Sequence, residues 1–171
     1  MQAKDVLAFW ELFEKAGLEV CIDGGWAVDA LLGRQTRPHN DLDIALPASK
    51  VPALRRLLSD MGFEEIPQPD AWEHNFVLGH PDGALLDVHS YELNPDGSNL
   101  SGVAYIAEQL SGRGLVLGTP VRCVPPEWLV KFHTGYELDD DDWHDVRLLC
   151  EAFDLPVPEE YATFQARETD G

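Results

Sequence analysis

Asp41 and Asp43 stand two apart in Asp41-Leu42-Asp43-Ile44, where polar and apolar residues alternate. On a strand, side chains project to opposite faces with a period of two. Both carboxylates therefore share one face, and Leu42 and Ile44 take the other. At about 3.3 Å of rise per residue the carboxylates are about 7 Å apart and repel unless something positive lies between them. A hard divalent cation meets that need: Mg²⁺ is typically held by one or two carboxylates together with substrate phosphates. Upstream, the apolar run Val20-Cys21-Ile22 ends in Asp23-Gly24-Gly25. Glycines without Cβ let a backbone approach a ligand closely, and a helix starting there offers free N–H groups to phosphate oxygens. Either motif alone is commonplace, a solvated strand face or a simple turn. In this order, with the basic stretch Arg34–Asn40 between them, the parts divide the handling of a metal-bound triphosphate.

The elements that must position these residues follow from pattern. Val6, Phe9, Trp10 and Phe13 recur at helical spacing, which predicts a helix from about Ala3 to Ala16, stopped at Gly17. A strand through Val20–Ile22 leads into the glycine pair, then a short helix over Trp26–Leu32 closed by Gly33. Pro47 ends the strand of the two aspartates. Ser49 is suited to cap a helix reaching Met61, with Val51, Leu54, Leu58 and Met61 inward. Phe63–Ile66, Trp72–Gly79 and Ala84–Ser90 read as strands, the last two joined by a turn at His80–Gly83. Asp87 and His89 share a face of the third. Tyr91–Gly102 reads as a long polar connection, Ile106–Leu110 as a helical turn, and Val116-Leu117 with Val121–Val124 as a hairpin. Pro125 opens a helix through His133. Asp142 caps another to Phe153, with Val146, Leu149, Cys150 and Phe153 inward, and the tail beyond Pro158 reads as weakly helical or frayed. The expected fold is α/β (α+β): a mixed sheet over residues 1–124 with a helical C-terminal part, 125–171.

Composition narrows the function. The chain of 171 residues, 44% hydrophobic and 25% charged, holds one core with a small appendage. No apolar run approaches the ~20 residues of a membrane span. The amphipathic N-terminus lacks a cleavage pattern. Cys21, Cys123 and Cys150 lie in apolar contexts and read as reduced, so a cytoplasmic protein with no membrane partner is expected. Twelve Lys plus Arg against thirty-one Asp plus Glu give a formal charge of −19. Nucleic-acid binding is driven by positive charge, so no nucleic-acid partner is expected. An acidic cleft concentrates cations, which favours a small cationic hydroxylated substrate, although plain solubility explains the charge equally well. A homodimer stays open as a partner.

The stretch DGGWAVDALLGRQTRPHNDLDI resembles the polymerase-beta-type nucleotidyltransferases, whose signature is a glycine turn, a DxD strand and a third carboxylate on a later strand. More narrowly it is similar to the small lincosamide and aminoglycoside O-nucleotidyltransferases. VHSYELNPDGS and VRCVPPEWLVKFHTGYELDDDDWHDVRLL extend the likeness, which covers roughly Ile22 to Leu149, with Phe63–His80 the least alike. The resemblance implies a nucleotidyltransferase mixed sheet plus a small helical part. The implied reaction moves AMP from Mg²⁺-bound ATP, or another nucleoside triphosphate, to a hydroxyl of a lincosamide or aminoglycoside. Asp41 and Asp43 would hold Mg²⁺. Asp87 would be the third carboxylate, either general base or ligand of a second metal. Gly24 and Gly25 would grip phosphate through their backbones. Arg34, Arg37 and Lys131 are candidates for phosphate contact, since an anionic leaving group wants cations. His39 would orient an acidic residue or touch phosphate. His89 would be a partner of Asp87. Tyr91, Glu92, His133 and Tyr136 fall in segments that would line the acceptor side.

Other constellations are weaker. His74, His80, His89 and His133 have no zinc spacing. His144-Asp145 echoes a phosphohydrolase dipeptide but sits mid-helix with no second histidine clearly placed for it, so Asp145 is expected to support packing or pair with a neighbour. Asp139–Asp142 lacks the glycine and glutamate of a calcium loop and reads as a capping run, or as a rim facing a cationic acceptor. Two readings compete with drug modification. One is transfer of a nucleotide to a partner protein, disfavoured by the C-terminal helices. The other is a non-catalytic nucleotide-binding regulator, disfavoured by all three carboxylates being present.

Overall fold

Alternation builds the middle of the sheet. Strands β2 (Asp41–Pro47) and β5 (Leu85–Leu93) bury Leu42, Ile44, Leu86 and Val88 to 1% exposure or less, while Asp41, Asp43, Asp87 and His89 on the opposite face remain partly accessible. The computed structural model describes residues 1–169. In it β2 and β5 run parallel with Asp41 beside Leu85, Asp43 beside Asp87 and Ala45 beside His89. Around them lie β1 (Cys21–Ile22), β3 (Glu64–Ile66), β4 (Asn75–Gly79), β6 (Asn99–Gly102), β7 (Gly112–Val116) and β8 (Thr119–Cys123), in the order β3-β4-β5-β2-β1-β8-β7, with β6 paired to β5. Only β2–β5 and β1–β8 are parallel among these pairings; the rest are antiparallel.

Helices cover the sheet. Helix α1 (Ala3–Lys15) buries Val6, Trp10 and Phe13, the stripe its spacing predicts. Helix α2 (Gly24–Leu32) begins two residues earlier than its sequence suggests, because the Asp23 carboxylate caps the Gly24 N–H at 2.8 Å. Gly33 ends it in the left-handed region, φ +69. The C-terminal helices α4 (Pro126–Phe132) and α5 (Asp140–Phe153) pack against α2 and so stand over its glycine end and flank. Helix α6 (Ala162–Thr169) follows.

Several expected boundaries shift for local reasons. A 3-10 turn over Ala48–Lys50 precedes α3 (Val51–Asp60), so Ser49 is not its cap. Met61 and Phe153, expected inward, are 44% and 38% exposed, since each lies at a helix end past the core. Asp139 caps α5, and Asp142 completes a capping box from the first turn. Tyr91–Gly102 is not an open connection: β5 continues to Leu93 and β6 returns beside it, around a turn at Asn94–Ser98. Trp72 makes only an isolated bridge to Asn75 before β4. The tail is anchored, because Tyr161 is fully buried and its hydroxyl donates to the His133 carbonyl at 2.6 Å.

Candidate active site

The site is a row of carboxylates across three neighbouring strands. Beyond the end of β1, the Asp23 N–H donates to the Asp43 carbonyl at 3.0 Å, continuing the antiparallel ladder with β2. Asp43 in turn stands beside Asp87 on β5, at the ~4.8 Å strand spacing. Asp41 extends the row along β2. Gly24 borders it closely: a Cβ built on Gly24 would lie 2.2 Å from Asp43 Oδ2, and Gly24 has φ +57. Only glycine combines that backbone with that approach.

Two hollows flank the row. One, of about 540 Å³, is lined by Gly24, Asp43, His89, Tyr105, Lys131 and His133, among others. The other, about 250 Å³, has Asp41, Asp87, Asp70 and Asn75 in its wall. Asp43 and Asp87 are shifted as members of a crowded anionic group. Burial raises Asp43 well above the usual carboxylate range, and the charges of Asp41, Asp23 and Asp87 add to it. Burial also raises Asp87; the nearby imidazole of His89 opposes the shift, and Asp41 and Asp70 add to it.

These residues fit a divalent cation. Asp87 Oδ1 is buried and accepts no hydrogen bond, a lone-pair donor left open beside two further carboxylates. Among the described residues no three acidic or histidine side chains converge tightly enough to cage an ion unaided. Asp41, Asp43 and Asp87 are the side chains that would hold it.

The other sequence candidates divide. Lys131, with Nζ 4.0 Å over the Trp128 ring, lines the same hollow as Gly24 and Asp43. His133 joins it there, with Nδ1 2.8 Å from the Leu129 carbonyl. The remaining seven lie elsewhere or are engaged. Arg34 is exposed past the C-terminal end of α2, about 13 Å of helix from the glycines. Arg37 is gripped in bidentate fashion by Asp145, with Nε at 3.0 Å and Nη2 at 2.6 Å, and reaches Asp141 as well. His39 is buried, with Nε2 2.6 Å from Asp29 and its ring 4.6 Å from Trp26, so the acidic residue it orients belongs to α2. A Cβ on Gly25 would meet His39 at 2.6 Å and Arg37 at 2.7 Å, so its missing side chain makes room for those two. Tyr91 is buried edge-on against Tyr105. Glu92 is exposed, alternation turns it to the face away from Asp87, and it accepts from Ser101 at 2.8 Å. Tyr136, 51% exposed, donates to Asp142 on α5.

Asp23 and Tyr105 escaped the sequence reading. Asp23 had a local signal, an aspartate just before a glycine-led helix, the composition of an N-cap. Tyr105 had none, since its hydroxyl reaches Asp23 across 82 positions of chain.

A glycine-led helix, a carboxylate row on adjacent strands and a lysine across the hollow are the parts of a metal-dependent nucleotidyl-transfer site. The chain belongs to the aminoglycoside-2''-adenylyltransferase family, whose model matches residues 5–149. It is 31% identical over 153 residues to a lincosamide resistance protein of Staphylococcus haemolyticus, covering 85% of this chain and 92% of that one. It is 29% identical over 139 residues to a 2''-aminoglycoside nucleotidyltransferase of Escherichia coli, covering 76% and 72%. Among solved structures, the lincosamide antibiotic adenylyltransferase LnuA with lincomycin bound superposes with a TM-score of 0.74 at 28% identity, over 85% of this chain and 94% of that one. ANT(2'')-Ia in complex with adenylyl-2''-tobramycin gives 0.70 at 24% identity over 97% and 98%, a likeness of fold. The mixed α/β fold is thus that of a nucleotidyltransferase, as the sequence implies.

Proposed function

We propose that this protein transfers AMP from Mg²⁺-bound ATP to a hydroxyl of a small aminated antibiotic, a lincosamide or an aminoglycoside, and releases pyrophosphate. The observation that carries the reading is the register of Asp43 beside Asp87, with Asp41 on the same face and Gly24 at their edge. Mg²⁺, when bound, neutralises triphosphate charge and orients the phosphates for in-line displacement. Asp41 and Asp43 serve as its ligands. Gly24 opens the space for phosphate beside Asp43, at the positive end of the α2 dipole. Lys131 contributes positive charge across the same hollow, where the leaving pyrophosphate gathers its own negative charge. The Asp87 carboxylate, partly exposed as a whole, is available to the acceptor hydroxyl or to a metal ion. Its neighbour hollow, with Asp70 in the wall, suits a cationic acceptor. Lincosamides come first among acceptors, because the relative at 31% identity is a lincosamide resistance protein.

The test is direct. Purified protein is incubated with ATP, Mg²⁺ and either lincomycin or tobramycin, and pyrophosphate release is followed together with the mass of the drug. Release with one drug and a gain of one adenylyl group is expected. Neither drug modified, under conditions where the protein is folded and binds ATP, would overturn the proposal.

A further inference from the structure

Two helices leave apolar side chains short of the core around a hollow far from the carboxylate row. On α1, Asp5, Ala8, Phe9 and Leu12 fall at i, i+3, i+4 and i+7, a second stripe beside the buried one of Val6, Trp10 and Phe13. Met61 follows α3 and continues the row of Leu54 and Leu58, yet it is 44% exposed. Both groups line a hollow of about 570 Å³, together with the buried Phe63 and with His80 and Asp82 from the turn between β4 and β5. The Phe9 and Phe63 rings meet edge-on at 5.9 Å, and the His80 ring lies 5.1 Å from Phe63. None of these residues lines either hollow beside Asp41, Asp43 and Asp87.

The polar groups in this wall favour one sign of charge. Asp5 accepts from the Gln2 N–H through Oδ2 at 2.9 Å, and Asp82 accepts from the Ala84 N–H through Oδ1 at 3.0 Å. Each carboxylate keeps a second oxygen able to accept. Hydrogen bonds from the Ala84 N–H and from His80 hold Asp82 below the usual carboxylate range. Among the described residues no lysine or arginine lines the hollow. The His80 imidazole is turned to Asp82 at 2.8 Å, and the Met1 ammonium donates to the His39 carbonyl. Phenyl and thioether groups take up an apolar body, and phenyl faces attract a cation. A bare metal ion fits poorly, because among the described residues no three acidic or histidine side chains converge as ligands.

We propose that this hollow is a second ligand site, for a small organic cation: an amine carried on an aryl or short alkyl body. The body packs among Phe9, Leu12, Met61 and Phe63, and the ammonium is met by Asp5 and Asp82. Its volume lies within the ordinary range of small-molecule sites. The formal charge of −19 on the chain draws such cations toward the surface. This site is separate from nucleotidyl transfer and stands whether or not the protein adenylylates a drug.

The two methionines of the chain, Met1 and Met61, both line the hollow, so ¹³C-methyl methionine labelling puts both NMR reporters in its wall. The protein without nucleotide is titrated with phenylbutylamine, phenylbutanol and phenylbutanoate, which share a body and differ in charge. The amine is expected to shift both methyl signals saturably, with a Kd of about 1 mM for a fragment of its size. The alcohol should bind about 10-fold more weakly, and the carboxylate more weakly still. Asp82→Asn changes an exposed turn residue. It should weaken the amine at least about threefold and leave the alcohol as it was. Equal affinities for amine and carboxylate, or amine binding that moves neither methyl, would overturn the proposal. So would no binding of the amine at about 10 mM, or an Asp82→Asn variant that holds it as the wild type does. The comparison of the three probes on the wild type decides by itself should the variant fold poorly.

Discussion

Gly24→Ala separates chemistry from folding when it is paired with Gly33→Ala. Both glycines, one at each end of α2, have positive φ, +57 and +69. Alanine in that region costs about 1–2 kcal/mol at either position. In a chain of this size each kcal/mol lowers Tm by about 2–4 °C, so both variants should melt about 2–8 °C early. The space around them differs. A Cβ at Gly33 meets nothing within 4 Å, whereas a Cβ at Gly24 would lie 2.2 Å from Asp43 Oδ2 and 2.7 Å from Cγ. Asp43 must swing its carboxylate aside by an ångström or so, the scale of misplacement that costs about 10²-fold in rate. Pyrophosphate release at a temperature where both variants are folded should therefore fall about 10²-fold or more in Gly24→Ala and stay near wild type in Gly33→Ala. Equal activities in the two variants would refute the argument that Asp43 depends on the bare glycine.

Asp43→Asn should abolish turnover yet raise Tm at neutral pH in metal-free buffer. Burial and three neighbouring carboxylates lift the folded-state pKa of Asp43, so the stabilising protonated form is lost as pH rises through that value. The Tm difference between variant and wild type should shrink as pH falls into the ordinary carboxylate range, which melts across a pH series will show. Arg37→Met strands the fully buried Asp145 and should cost about 3–5 kcal/mol in urea unfolding, with little change in the KM for ATP. A raised KM with unchanged stability would return Arg37 to the phosphate. The three cysteines are buried, and Cys123 is pushed up to about 12, first by burial. None should react with a thiol reagent in the native protein, and all three should react in denaturant.

What the sequence disclosed was local. Alternation in Asp41–Ile44 and in Leu86–His89 forecast which faces the aspartates take, because a period of two is a property of each strand by itself. That these faces adjoin needed the parallel pairing of β2 with β5, which periodicity does not reveal; the family likeness implied only a third carboxylate on a later strand. The basic loop misled for a related reason. Arg37 and His39 lie between the two motifs in the chain, yet their partners are Asp145, 108 positions away, and Asp29 within α2. Charge near a phosphate motif is ambiguous until tertiary closure assigns its counterion. Tyr105 is the extreme case, since one hydroxyl sets its role and nothing around it in sequence marks it.

The fork between Arg37 and Asp145 constrains how such a protein can diversify. Exchanging the C-terminal helices for those of a relative would exchange one partner of this fork. A chimera joined anywhere before α5 that lacks an acid at 145 would strand a guanidinium against Gly25. Recombination that respects this one acid keeps the fork closed, so the C-terminal helices can be traded between lineages only by inheriting the same latch.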